Sequence, residues 1–175
     1  MAGKITLGRT LRTLRLPSVV LTETLHAPAL DLPAHEHANA NINFALCSTF
    51  TERVERRTFD CRPGSLVMKP GGAVHSNRYS RQPAHCLIVE FLPKFGAELR
   101  KESQLLDDIW YSEEPTLAEL GRQLYRELRD VDNTTPLAVE ALVLELAGGV
   151  SGEKKQDRGI WNPPSWLQRF CQRLE

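Results

Sequence analysis

Three histidines stand where their types and spacing could do chemistry together. His35 and His37 lie two apart in the segment Pro33-Ala34-His35-Glu36-His37, and residues two apart on an extended strand point to one face. His75 arrives separately, after a turn glycine (Gly64), a short apolar run at residues 66–68 and a Pro70-Gly71-Gly72 turn. Strands that close into a barrel would bring it to the other two. Three neutral imidazoles can hold zinc, iron, manganese or nickel and leave positions open for water or substrate. The other use of such a cluster is a polar pocket, hydrogen-bonded to water, backbone or an organic ligand. His26 and His85 lack this spacing and read as ordinary strand or loop histidines. Glu36 alternates with His35 and His37 and so faces away from them, and Glu90 shares a face with Cys86 and Ile88. No paired carboxylate and no nucleophile–base arrangement emerges, so no catalytic residue is assigned.

The elements that must position these histidines change character near residue 95. Before it, apolar residues come in short runs at 18–25, 42–47, 66–68 and 86–92, rich in Val, Ile, Phe and Leu and separated by Pro and Gly. That is how antiparallel strands and tight turns read, and many short strands point to a sandwich or barrel. Residues 49–60 are highly charged and read as an exposed hairpin or a strand with one solvated face. Phe44, Leu46, Met68 and Tyr79 are expected to line the pocket beside His35, His37 and His75. After residue 95 the period becomes helical. Leu117, Leu120, Leu124, Leu128 and Val131 recur at three- and four-residue spacing behind Glu113-Glu114-Pro115. This stripe suits either a dimer seam or a helix packed on its own barrel. A second helix is expected over 137–147, apolar on nearly every side and ended by Gly148 and Gly149. The division read from the sequence is a β-barrel over 1–95, a helical region over 96–150, a polar linker over 151–160, and over 161–175 the opening helix of a domain that continues past Glu175.

Bulk properties exclude several classes. The 175 residues are 41% hydrophobic, enough for one domain with a sizeable core, and 22 basic residues cancel 22 acidic ones. No global field attracts nucleic acid or an anionic membrane. No run is long and apolar enough to span a bilayer, and the arginines among residues 9–16 do not form a secretory signal. The four cysteines are scattered, as in free thiols of a reducing cytoplasm, so a cytoplasmic location is expected.

The turn that delivers His75 resembles the second cupin motif, with Gly64, Pro70, Gly72 and His75 in its defining places and Tyr79 where asparagine is frequent. The first cupin motif matches in part: His35 and His37 are present, but its acidic position falls on Asn41 or Ile42, and its flanking glycines are replaced by Ala29 and by Ser48 or Thr49. Cupin metal enzymes use three histidines and a glutamate, so this departure removes the one anionic ligand. The order of features resembles the N-terminal half of AraC-type transcriptional regulators, in which a cupin sensor is followed by dimerisation helices and then by a DNA-binding domain. The resemblance implies a mainly β, jelly-roll cupin barrel followed by a helical dimerisation hairpin. It also implies a small-molecule effector, a homodimer, and DNA contact only through a C-terminal domain outside this sequence. The alternative is a stand-alone cupin metalloprotein or metalloenzyme of dioxygenase or isomerase type, with a divalent metal on His35, His37 and His75.

Overall fold

The computed structural model describes residues 8–156. Ten strands and three helices follow in order: β1 (Arg9–Arg15), β2 (Val19–His26), β3 (Asp31–His35), β4 (Asn41–Cys47), β5 (Phe50–Val54), β6 (Arg57–Cys61), β7 (Leu66–Lys69), β8 (His75–Tyr79), β9 (Ala84–Phe91), α1 (Pro93–Glu102), β10 (Trp110–Ser112), α2 (Pro115–Arg129) and α3 (Thr135–Gln156). The strands form a six-stranded sheet, β1-β2-β9-β4-β7-β10, and a four-stranded sheet, β3-β8-β5-β6. Non-consecutive neighbours in both sheets, with antiparallel pairing throughout, make a double-sheet jelly-roll arrangement rather than a simple meander.

Two cores lie on either side of the six-stranded sheet. Between the sheets, Leu32, Phe50, Val54, Val67, Tyr79 and Cys86 pack together. On the outer face, Ile42, Phe44, Leu66, Met68, Leu87 and Val89 meet the leucines of α2 and the Val139, Val143 and Leu146 side of α3. The period-two alternation explains the split: Val67 faces inward, while Leu66 and Met68 face the helices. Covered on both faces, β4, β7 and β9 are largely buried on both, so their apolar residues read as runs, interrupted on the inner face by Asn41, Asn43 and Lys69.

Several expectations change. Strand β10 pairs with β7 through Trp110↔Met68 and Ser112↔Leu66, so the β region reaches past residue 95. Helix α1 buries only Gly96 and Leu99, too sparse a stripe to show a helical period in the sequence. Leu117, Leu120, Leu124 and Leu128 are buried against the chain's own sheet. Val131 does not continue their stripe: α2 ends at Arg129 and Val131 is 57% exposed. Helix α3 starts at Thr135, two residues before the expected 137, with Asp132 Oδ1 accepting from the backbone amides of Thr134 (2.7 Å) and Thr135 (3.1 Å). It does not stop at Gly148-Gly149 but runs to Gln156, taking in the first part of the expected linker. A side chain at Gly149 would lie 2.9 Å from Leu117 Cδ2, so this glycine serves close helix packing and not a helix stop. The remainder of the linker and the expected helix over 161–175 lie outside the described residues.

Two helical glycines give opposite expectations. A Cβ at Gly121 of α2 would fall 2.3 Å from Phe44 Cδ1, whereas at Gly96 of α1 the nearest atom is Leu106 Cδ1 at an ordinary 3.5 Å. Gly121→Ala is expected to destabilise by about 1–3 kcal/mol through overpacking. Gly96→Ala should stabilise by up to about 1 kcal/mol through helix propensity. Urea denaturation of both variants reads the two signs; a stable Gly121→Ala protein would overturn the close approach of α2 to the sheet.

Candidate functional site

Strand register brings the histidines together. His35, at the end of β3, is the cross-strand partner of His75, at the start of β8. Their ring centroids lie 4.2 Å apart, with His37 5.3 Å from His35 and 5.1 Å from His75. His37 follows the end of β3, and its carbonyl accepts from the Gly72 amide at 2.8 Å, tying it to the turn that delivers His75. Gly72 holds φ +80°, the left-handed region where glycine is unstrained. One ring nitrogen of each histidine lies within 4.8 Å of the others.

Backbone carbonyls set the tautomers. His35 Nδ1 lies 2.9 Å from Pro33 O and His75 Nδ1 lies 3.0 Å from Ala73 O. A carbonyl only accepts, so both Nδ1 atoms carry a proton, and in a neutral ring the lone pair then lies on Nε2. Metal-ligating histidines are oriented by this kind of second hydrogen bond. Burial, reinforced by the Lys69 charge, pushes His75 down to about 3. His37 is lowered by burial and by His35. Neutral imidazoles with oriented lone pairs fit a divalent metal, and His35, His37 and His75 would hold it. It would supply Lewis acidity to whatever shares the cavity.

Below the histidines a cavity runs into the barrel, lined also by His26, Asn41, Asn43, Glu52, Lys69, Asn77 and Tyr79. Its volume is about 30 Å³, and a single water occupies about 10–15 Å³ of such a cavity, so it suits an ion with a water or two, or a few ligand atoms. Of the residues expected to line it, His35, His37, His75 and Tyr79 do. Phe44 and Met68 are instead in the core between sheet and helices, and Leu46 packs against that core, because the alternation of β4 and β7 turns them outward. Tyr79 closes the far end, stacked on His26 at 4.2 Å.

Glu52 and Lys69 also belong to the site, though neither stands out in the sequence. Both are buried, joined at 2.6 Å, and Asn43 Nδ2 donates to the same carboxylate at 3.3 Å. Burial alone would raise the Glu52 carboxyl, but the Lys69 ammonium overrides it and holds the group below its usual range. The signal lay in alternation: Glu52 sits between Phe50 and Val54, both inward, while Arg53 is exposed. His26, read as an ordinary histidine, also lines the cavity; burial pushes it down to about 4. Asn41, at the acidic position of the first cupin motif, faces the cavity, and Ile42 faces the helices.

No protein-family model matches the chain, and no curated relative matches it. Solved structures similar to it include the DMSP lyase DddQ from Ruegeria pomeroyi DSS-3, with 23% identity and a TM-score of 0.42 over 43% of this chain and 39% of that one. The TT1209 protein from Thermus thermophilus has 22% identity and a TM-score of 0.44, covering 48% of this chain and 82% of that one. A cupin superfamily protein from Desulfitobacterium hafniense DCB-2 has 11% identity and a TM-score of 0.44, covering 53% and 84%. The chain thus spans about two fifths of the lyase it matches. Fold and site together define a two-sheet antiparallel barrel with a histidine-lined polar cavity.

Removing one member of the buried ion pair strands the other charge. Lys69→Met is expected to cost about 3–5 kcal/mol, and the Glu52→Leu/Lys69→Met double variant less than that single change. A double-mutant cycle in urea checks this; additive losses would show that the two groups are not coupled. The His26 shift gives a pH dependence. Its folded value lies below the unfolded one, so its contribution is complete above about 6.5 and is lost as pH falls toward about 4. Per unit in that window the loss is at most about 1.4 kcal/mol. His26→Phe should flatten the stability profile between pH 6.5 and 4 relative to wild type; parallel profiles would refute it.

Proposed function

We propose that this chain is the sensing portion of an AraC-type regulator, whose cupin-like barrel takes a small ligand at the histidine end of its cavity. The observation that carries this reading is a polar cavity inside the barrel whose wall, the six-stranded sheet, is also the surface on which α2 and α3 pack. A ligand that shifts that wall shifts the helices with it, which is how a binding event becomes a signal. Dimerisation, on this reading, uses α3 rather than the leucine stripe of α2. Leu137 is 75% exposed and Ala141, one turn on, is exposed as well. DNA would be reached only through a separate domain.

A metal-binding cupin is the second reading, favoured by the oriented Nε2 lone pairs of His35 and His75. In either case the histidines are the contact point. The buried Glu52 is taken by Lys69, and Asn41 brings no charge, so a metal here would have three neutral protein ligands and open positions. That composition suits reversible ligand capture.

Zinc titration of the purified chain is expected to show one site per chain, weakened at least about tenfold in His75→Ala. The regulator reading further requires a dimer at micromolar concentration by sedimentation equilibrium. Absence of both metal and organic ligand binding would remove the proposal, and a monomer would remove its dimer half.

A further inference from the structure

Behind the three histidines the cavity reaches a layer of polar side chains on three strands: Asn43, Glu52 and Asn77, respectively 7%, 1% and 6% exposed. Glu52 and Asn77 are register partners across β5 and β8. The Asn43 amide donates to Glu52 Oε2 at 3.3 Å. A carboxylate only accepts, so this bond fixes the orientation of the amide and leaves its Oδ1 as the free end. Asn43 Oδ1 and Asn77 Nδ2 are both buried without a protein partner. Each such atom costs about 1–3 kcal/mol, so an acceptor and a donor left open around one carboxylate mark a place for a bound group.

The open donor and acceptor restrict what that group can be. A carboxylate or phosphate only accepts, so it would satisfy Asn77 Nδ2 but face Asn43 Oδ1 and the Glu52 charge. The Lys69 charge is already balanced by Glu52 at 2.6 Å, so an anion here would stand as an unpaired buried charge. An ammonium only donates and would oppose Asn77 Nδ2. A hydroxyl does both: it accepts from Asn77 and donates to Asn43. Resting on the reading of the barrel as a ligand chamber, we propose that Asn43 and Asn77 form an inner subsite for a neutral hydroxyl, and that the ligand is a small diol. Space of about 30 Å³ limits the part held inside to two or three heavy atoms, so the second oxygen reaches the histidine layer.

The test uses the full chain, ¹⁵N-labelled, with ethane-1,2-diol and acetate as probes and the side-chain amide signals of Asn43 and Asn77 as readout. The diol is expected to shift both signals saturably, and acetate is not. Asn77→Leu, which removes the donor at similar volume, should weaken the diol at least tenfold while leaving zinc binding at His35, His37 and His75 unchanged. Asn77→Asp, which turns the donor into an acceptor, should weaken it too. Equal or tighter acetate binding would overturn the hydroxyl assignment. No saturable response to the diol, with zinc still bound, would show that the two amides hold only water, so the subsite falls and the histidine site stands. Loss of both responses in the wild type would count against the ligand-chamber reading itself.

Discussion

Neither Glu52 nor Lys69 could occupy its place without the other. An unpaired charge in a protein interior costs several kcal/mol, and these two groups have almost no contact with solvent. Their 2.6 Å contact links β5 of one sheet to β7 of the other, so it also fixes how the two halves of the barrel face each other. With that bridge in place, Asn43 can spend one end of its amide on the carboxylate, and the interior becomes layered along the barrel. Imidazoles sit at one mouth, amides and the ion pair in the middle, and the Tyr79–His26 stack at the far end. The polar character of the cavity is a consequence of the pair, which keeps the apolar core from closing over the middle of the barrel.

The same sheet carries the helices. Helix α2 lies so close to it that Phe44 occupies the space a side chain at Gly121 would fill, and Gly149 lets α3 come close to Leu117. A second polar link crosses this interface. Glu23 of β2, buried, accepts from Tyr125 of α2 at 2.8 Å and from Arg12 at 2.7 Å, with His85 Nε2 at 3.3 Å. Barrel wall and helix pair are therefore joined by steric fit and by a shared carboxylate.

Much of this was legible in the sequence, for reasons that differ by element. The strands β2, β4, β7 and β9 are visible because a sheet covered on both faces is mostly apolar, with Glu23, Asn41, Asn43 and Lys69 among its buried polar exceptions. The histidines were visible because the turn chemistry of Gly64, Pro70 and Gly72 is specific to one conformation. Helix α2 showed its leucines at regular spacing. What stayed hidden depended on partners far along the chain. Glu52 looked like one more charge in a charged hairpin, because its burial is set by Lys69, seventeen residues on. Phe44 and Met68 read as pocket-lining, and belong instead to the core under the helices, because hydrophobicity names no face when both faces are buried. Gly148 and Gly149 resembled a helix stop because packing against Leu117 leaves no local trace. Strand β10 is three residues long and too short to show any period.

Strand β1 has a consequence of its own. It is the outermost strand of the six-stranded sheet, with no strand beyond it among the described residues. An open edge offers unpaired backbone amides and carbonyls to any extended chain, which is the usual route to sheet-to-sheet aggregation. Here the edge is the sequence Arg-Thr-Leu-Arg-Thr-Leu-Arg, with Arg9, Arg12 and Arg15 all exposed and a register irregularity between Thr10 and Arg12. A second copy approaching edge to edge would bring two rows of guanidinium groups together on a strand that is already bent. The border of the barrel is thus guarded against self-pairing by charge and curvature, and Arg12 does so while also serving the buried Glu23 behind it.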